Sequence, residues 1–275
     1  MFNYEFMRIA FFVGIMLAVI IPLIGNTVVF KGLSMTGDAL SHTALAGVAI
    51  GLIVGVNPLI TAIIASVVSA FLIELIRKKF YKYSEIAIAI VLSLGIGLAG
   101  VLSSFAPSAN LNSYLFGSII SISSLEVCIT VGLFAVVIIT TILFYKELMY
   151  ISYNEKGAQL AGVPVDFVNF IFTLLTALTV ATASRTIGAL IVSSLMVVPV
   201  ATALQVSKSY KGTIIKSVIF SLLSVSLGLT VSFYEGLKPG GTIVLISIAF
   251  LMLAMLIKAI IKQSEKHHKH EHLNV

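Results

Sequence analysis

The chain has 275 residues, of which 59% are hydrophobic and only 10% charged, with a formal net charge of +6 and a mean hydropathy of +1.13. Soluble chains carry about 25% charged residues, so this composition excludes a soluble globular enzyme and points to a polytopic membrane protein. The basic excess is no nucleic-acid signature, because Lys and Arg sit in short clusters between apolar runs, and the single cysteine, Cys128, excludes a disulfide framework within one chain.

About 20 apolar residues cross a bilayer as a helix. Such runs fall near 7–30, 36–56, 58–76, 84–104, 125–145, 167–184, 187–206, 213–234 and 242–262. The expectation is an all-α transmembrane bundle of about nine spans, within a range of eight to ten. The first run reads as a retained helix rather than a signal peptide. Pro22 and Pro199 lie inside spans and should kink them, the freed carbonyls finding other partners. Asn57-Pro58 marks a turn. Residues 105–124 form a long connection, read as a loop with a partly inserted helix. Residues 146–166 form another, with a short helical pattern from Glu155 to Ala161 closed by Gly162-Val163-Pro164. Residues 1–263 make one transmembrane domain, and 264–275 a His-rich tail.

Orientation follows from Lys and Arg, which concentrate on the cytoplasmic side. With nine spans, one side receives Lys31, Arg77, Lys78, Lys79, Lys82, Lys146, Lys156, Lys208, Lys211, Lys216, Lys258, Lys262, Lys266 and Lys269, and the other only Arg8, Arg185 and Lys238. That bias puts the N-terminus outside and the C-terminus in the cytoplasm.

In this frame Asp38 and His42 stand out. They lie four residues apart in an apolar run, hence on one face of a helix. A carboxylate and an imidazole so placed make half of a divalent metal site, and ionisable groups within a membrane mark pathways. The same spacing also fits a helix cap beside a hydrogen-bonded histidine. The pair lacks the third ligand of a catalytic zinc site, which suits an ion in transit. No G-x-x-x-x-G-K-[ST] phosphate loop and no H-E-x-x-H occurs, so ATP would be bound by another chain and a zinc protease is disfavoured.

Other polar residues read more plainly. Glu74 and Glu85 flank the basic cluster and pair with it. Glu126 starts a span, where the helix dipole favours an acid. Arg185 is either a rim residue or a partner-facing charge, and Cys128 a small core residue. Gly47-x-x-x-Gly51 and Gly95-Ile96-Gly97 read as close helix contacts. In residues 152–163, the small Gly157, Ala158, Ala161 and Gly162 would let a short helix dock on another protein, the alternative being a plain connecting loop. The tail histidines His267, His268, His270 and His272 form a tract that can bind metal or simply a solvated end.

These residues bear a family resemblance. Gly37-Asp38-Ala39-Leu40-Ser41-His42 with Leu45-Ala46-Gly47 resembles the G-D-A-L-S-H-x-x-L-P/A-G segment of the permeases of bacterial zinc- and manganese-type ABC importers. Tyr114-Leu115-Phe116-Gly117-Ser118-Ile119, Ala158-x-x-x-Gly162-Val163-Pro164, the run from Gly188 to Ala203 and Pro239-Gly240-Gly241-Thr242 are similar to further segments, in family order. Asn154 stands where the family often has Asp, and Lys238 replaces an acidic approach to Pro239.

The resemblance implies a vitamin-B12-importer-like permease fold in a bacterial cytoplasmic membrane. The chain would act as a homodimer bound to cytoplasmic ABC ATPase subunits and fed by an extracellular metal-binding protein. It would be a transport subunit, not an enzyme, and hold no cofactor of its own. Metal would pass Asp38 and His42, and ATPase coupling would run through Asn154, Glu155, Gly157, Ala158, Ala161 and Gly162. Ala46, where the manganese-type branch has proline, favours zinc as cargo over manganese or iron. A rival class, a secondary cation transporter, would show more intramembrane acids or a repeat.

Overall fold

The computed structural model describes residues 3–80, 83–105, 114, 117 and 122–271. Among them the chain forms eleven α-helices and no strand. These are α1 (Glu5–Phe30), α2 (Thr36–Val54), α3 (Pro58–Lys79), α4 (Ser84–Ser103), α5 (Ser124–Leu143), α6 (Tyr145–Tyr153), α7 (Glu155–Leu160), α8 (Val165–Ala183), α9 (Ala189–Val206), α10 (Tyr210–Glu235) and α11 (Pro239–Glu271). A π-helical turn, Ser184–Gly188, carries α8 on as one stretch, Val165–Gly188. Eight described helices are long and apolar enough to cross a membrane, and Ile191–Val206 is a shorter apolar helix, in keeping with the expected eight to ten spans.

Boundaries differ at two places. The run 125–145 stops at Leu143, with Tyr145 opening the separate α6. The run 167–184 extends to Gly188 through the π turn. The inserted helix expected within 105–124 falls mostly outside the described residues, of which Tyr114 is helical there and Ser124 opens α5. The metal-binding expectation for His267, His268, His270 and His272 also lies outside the described side chains, although the backbone of α11 is helical to Glu271.

The core centres on α1, where Leu17, Ile20, Ile21 and Ile24 are fully buried against Leu40 of α2 and Leu195 and Met196 of α9. Lipid is as apolar as these side chains, so close packing and interhelical hydrogen bonds, rather than escape from water, hold such helices together. Gly47 and Gly51 supply the close approach: a Cβ on Gly47 would sit 2.5 Å from the Thr61 carbonyl oxygen, and one on Gly51 2.9 Å from Pro58 Cα. Asn26 supplies the polar tie, its Nδ2 donating at 2.7 Å to both the Pro22 carbonyl and Ser217 Oγ of α10. Pro22 thus stays within a continuous α1, one nearby carbonyl met by a side chain.

Two packing expectations are corrected. Gly95 presses on α2, with Thr43 N 2.9 Å from a Cβ built there, but nothing lies within 4 Å of one at Gly97. Cys128 is exposed on the outer face of α5 rather than in the core. In a membrane protein the outer face is as apolar as the core, so hydrophobicity does not separate them.

The helices share two ends. Phe30, Tyr145 and Tyr210 meet at one, with Lys31, Arg77, Glu155 and Asn169 nearby. Tyr4 and Phe233, and Glu126 and Arg185, meet at the other.

Candidate metal site

Asp38 lies in the first turn of α2, where the dipole favours a carboxylate. His42 follows one turn later. Both side chains are partly exposed, while Ala39, Leu40, Ser41 and Thr43 between and beside them are buried. Neighbours fix this rotation of α2. A Cβ on Gly37 would meet Met196 Sδ and Ser193 Cα of α9 at 3.3 Å, and one on Gly95 of α4 would meet the His42 carbonyl carbon at 3.2 Å. With α9 and α4 pressed that close, Asp38 and His42 keep the open face. Neither side chain forms a hydrogen bond or ion pair with any described residue, so the hydrogen-bonded-histidine alternative has no described partner. No group of three or more His, Cys, Asp or Glu occurs among the described residues. Among the described residues this face therefore presents one carboxylate and one imidazole, fewer groups than the four ligands of a closed zinc site.

Sequence reasoning missed a polar network at the basic end. Lys31, the first residue after α1, donates from Nζ to Asn169 Oδ1, and Asn169 Nδ2 donates to Glu155 Oε1 at 2.7 Å. Arg77 pairs with Glu74 at 2.9 Å, as the flanking charges suggested, and also comes within 3.8 Å of Glu155. Burial pushes the Lys31 ammonium down to about 8; Arg77 adds to the fall, and Glu155 and Glu74 oppose it. Apart from the local pair Glu74 and Arg77, the members come from positions 31, 155 and 169, which no local pattern joins.

The short α7 is built as its sequence suggests. Asn154 caps it, its Oδ1 accepting from Gly157 N at 2.9 Å. Gly162, at φ +83°, closes it, with Val163 N donating to Ala158 O and Gly162 N to Gln159 O. The small residues are used differently from the docking expectation. Ala158 is buried against Leu148, Ile151, Val168 and Phe172 of the same chain, and Gly157 backs onto the Asn154 side chain. The outward face carries Lys156, Gln159, Ala161 and above all Leu160, which is 90% exposed. A cleft of about 330 Å³ beside it is lined by Glu74, Arg77, Lys78, Glu155, Lys156 and Asp166.

At the opposite end Arg185 is neither a free rim charge nor directed outward alone. Its Nε lies 3.0 Å from Glu126 Oε1, and its guanidinium hydrogen-bonds Tyr114 and stacks over that ring. Ser123 and Glu126 form a reciprocal capping box at the start of α5. Its S-x-x-E signal was present in the sequence.

Comparison with known proteins gives a consistent picture. Residues 3–258 match the ABC 3 transport family. The chain is 37% identical over 256 residues to a "Probable metal transport system membrane protein" of Treponema pallidum (strain Nichols), covering 93% of this chain and 96% of that one. It is 30% identical to the "High-affinity zinc uptake system membrane protein ZnuB" of Haemophilus influenzae, over 93% and 98% of the two chains. To the "Manganese import system permease protein ScaB" of Streptococcus gordonii it is 29% identical, over 93% and 92%. Among solved structures, a chain of "PsaBC from Streptococcus pneumoniae in complex with Fab" superposes with a TM-score of 0.81 at 29% identity, covering 91% of each chain.

Proposed function

The chain belongs to the ABC 3 transport family, and from that premise we propose that it carries zinc across a bacterial cytoplasmic membrane as the permease of an ATP-driven importer. It is a membrane permease subunit, not itself an enzyme. The observation that carries the metal reading is the Asp38–His42 face, which two glycine contacts keep open and which no described residue satisfies. Two such faces, from two copies of the chain, would bring four ligands to one ion. A site of carboxylate oxygens and imidazole nitrogens holds zinc or manganese. Relatives named for each metal exist, and Leu45-Ala46-Gly47 favours zinc.

Leu160 and its neighbours on α7 support docking of a cytoplasmic ATPase, since an apolar side chain this exposed at a polar helix end fits a partner surface. On this reading the basic end, and the C-terminus, lie in the cytoplasm. The N-terminus and the Arg185 cluster then face outside, toward an extracellular metal-binding protein. The tail from 264 to 275 would meet zinc leaving the pathway and act as a brake at high internal zinc.

The test is uptake by proteoliposomes holding the permease with its ATPase, supplied with zinc or manganese. Asp38→Ala and His42→Ala should each abolish uptake while the ATPase stays bound. Normal transport by both would remove the site, and faster uptake of manganese than zinc would reassign the cargo.

A further inference from the structure

The basic-end network joins the docking helix to the helix that carries Asp38 and His42. Asn169 is its bridge: one amide accepts from Lys31 through Oδ1 and donates to Glu155 of α7 through Nδ2 at 2.7 Å. Only a side chain with both functions can hold an ammonium on one side and a carboxylate on the other. From Lys31 the chain enters α2 with no slack. Gly32, at φ +69°, closes α1, with Gly32 N donating to Val29 O at 3.0 Å and Leu33 N to Val28 O at 2.9 Å. Thr36 N then donates to Leu33 O at 2.9 Å, and α2 begins.

A small cavity of about 50 Å³ lies behind this turn, lined among others by Lys31, Thr36, Glu74, Arg77 and Asn169. Thr36 Oγ1 is buried there without a hydrogen-bond partner. The start of α2 therefore has a little room to move and one polar group free to change partners, while Lys31 and Asn169 tie the turn that leads into it to α7.

We propose that Lys31 and Asn169 are the transmission link of the transporter, converting displacement of α7 into tilt of α2 and so opening or closing the Asp38–His42 face. The proposal rests on reading α7 as the ATPase-docking helix and Asp38 and His42 as metal ligands. Both are positioning residues, touching neither metal nor nucleotide. A merely structural tie would make no special demand on coupling, whereas a link should fail by separating hydrolysis from transport.

The experiment measures zinc uptake and ATP hydrolysis together in proteoliposomes of the full complex. Lys31→Met and Asn169→Leu should lower zinc moved per ATP by at least about tenfold while hydrolysis stays within about twofold. Asn169→Asp, nearly isosteric, swaps the donor for an acceptor facing Glu155 and should uncouple as well, while Lys31→Arg restores coupling. Because the two residues act in series, the double variant Lys31→Met/Asn169→Leu should be no worse than either single one. Uptake and hydrolysis falling in proportion, multiplying effects in the double variant, or normal transport by Asn169→Asp would each overturn the link. Leu160→Asp separates this from the docking reading. If it leaves the ATPase bound, docking by α7 fails. If it releases the ATPase while the Lys31 and Asn169 variants transport normally, only the link fails.

Discussion

α2 and α11 stand at opposite extremes of the bundle. Within the spans, α2 offers the least apolar stretch and α11 the most apolar, yet 67% of the first is buried inside the chain and 17% of the second. In a water-soluble protein the order would be reversed. Lipid rewards an apolar exterior, and the interior is held by close contacts and hydrogen bonds, so polar and small residues collect where helices meet and long aliphatic ones face outward. Leu253, Leu256, Ile257 and Ile260 of α11 are all exposed, whereas Ser41, Thr43, Ala46 and Gly47 of α2 are buried. α2, the least apolar of the spans, also carries the candidate metal ligands, on the one face its neighbours leave open.

Substitutions that treat the two helices alike should break the symmetry. The largest effect belongs to Gly47→Leu, because a Cβ there already meets Thr61 O at 2.5 Å and Ala65 Cβ at 2.7 Å. The α2–α3 crossing cannot form, and no monodisperse folded protein should elute from a sizing column. The same change at Gly97 of α4, with nothing within 4 Å, should elute as wild type. Next comes Arg185→Met, which takes away the charged partner of the buried Glu126 carboxylate and leaves it the Ser123 N–H. Removing one partner of such a pair costs about 3–5 kcal/mol, visible as a lowered thermal midpoint, and Arg185→Met/Glu126→Gln should recover part of it.

A smaller effect follows from Lys31. Its folded pKa, about 8, lies below the ordinary 10.5, so between these values the unfolded chain holds the proton that the folded chain has released. Stability relative to Lys31→Met should then rise with pH across that window and level off above it, by no more than about 3 kcal/mol. A fall over the same range, by chemical denaturation, would contradict the burial of the ammonium. Smallest is Leu256→Ala on the lipid face of α11, where truncation exchanges one apolar contact for another; its midpoint should shift by less than about 0.5 kcal/mol.

The same contrast explains what could be read before the fold was known. Spans were legible because runs of apolar residues are long and punctuated by charge, and Asp38 and His42 because they interrupt such a run. Which way each helix faces was not. Cys128 and Gly97 look like core residues and lie on the outside, since the hydropathy of a whole span does not say which way one small residue on it points. The break at Phe144 falls just ahead of the charged Lys146 and Glu147 that end the apolar run, and the π turn at Ser184–Gly188 carries a helix on past Arg185, where the run had ended. The Lys31–Asn169–Glu155 chain was invisible for another reason: its links join residues 138 and 14 apart, and only the antiparallel return of α8 beside α1 and α3 brings them together. Ala158, small enough to suggest docking, is small because it packs beneath α7, and Leu160, the residue turned outward, gave no signal beyond being apolar.

That exposed leucine bears on how the chain fares when it outnumbers its partners. Covering one leucine side chain contributes about 1.5–3 kcal/mol, roughly a ten- to hundredfold gain in the tightness of an assembly. Left bare at the membrane surface, the same side chain is an adhesive tip on every unassembled copy, available to proteases and to other exposed apolar tips. Cells making this chain without its companion should accumulate less of it than cells making both, and Leu160→Ser should narrow that gap at the expense of a looser complex.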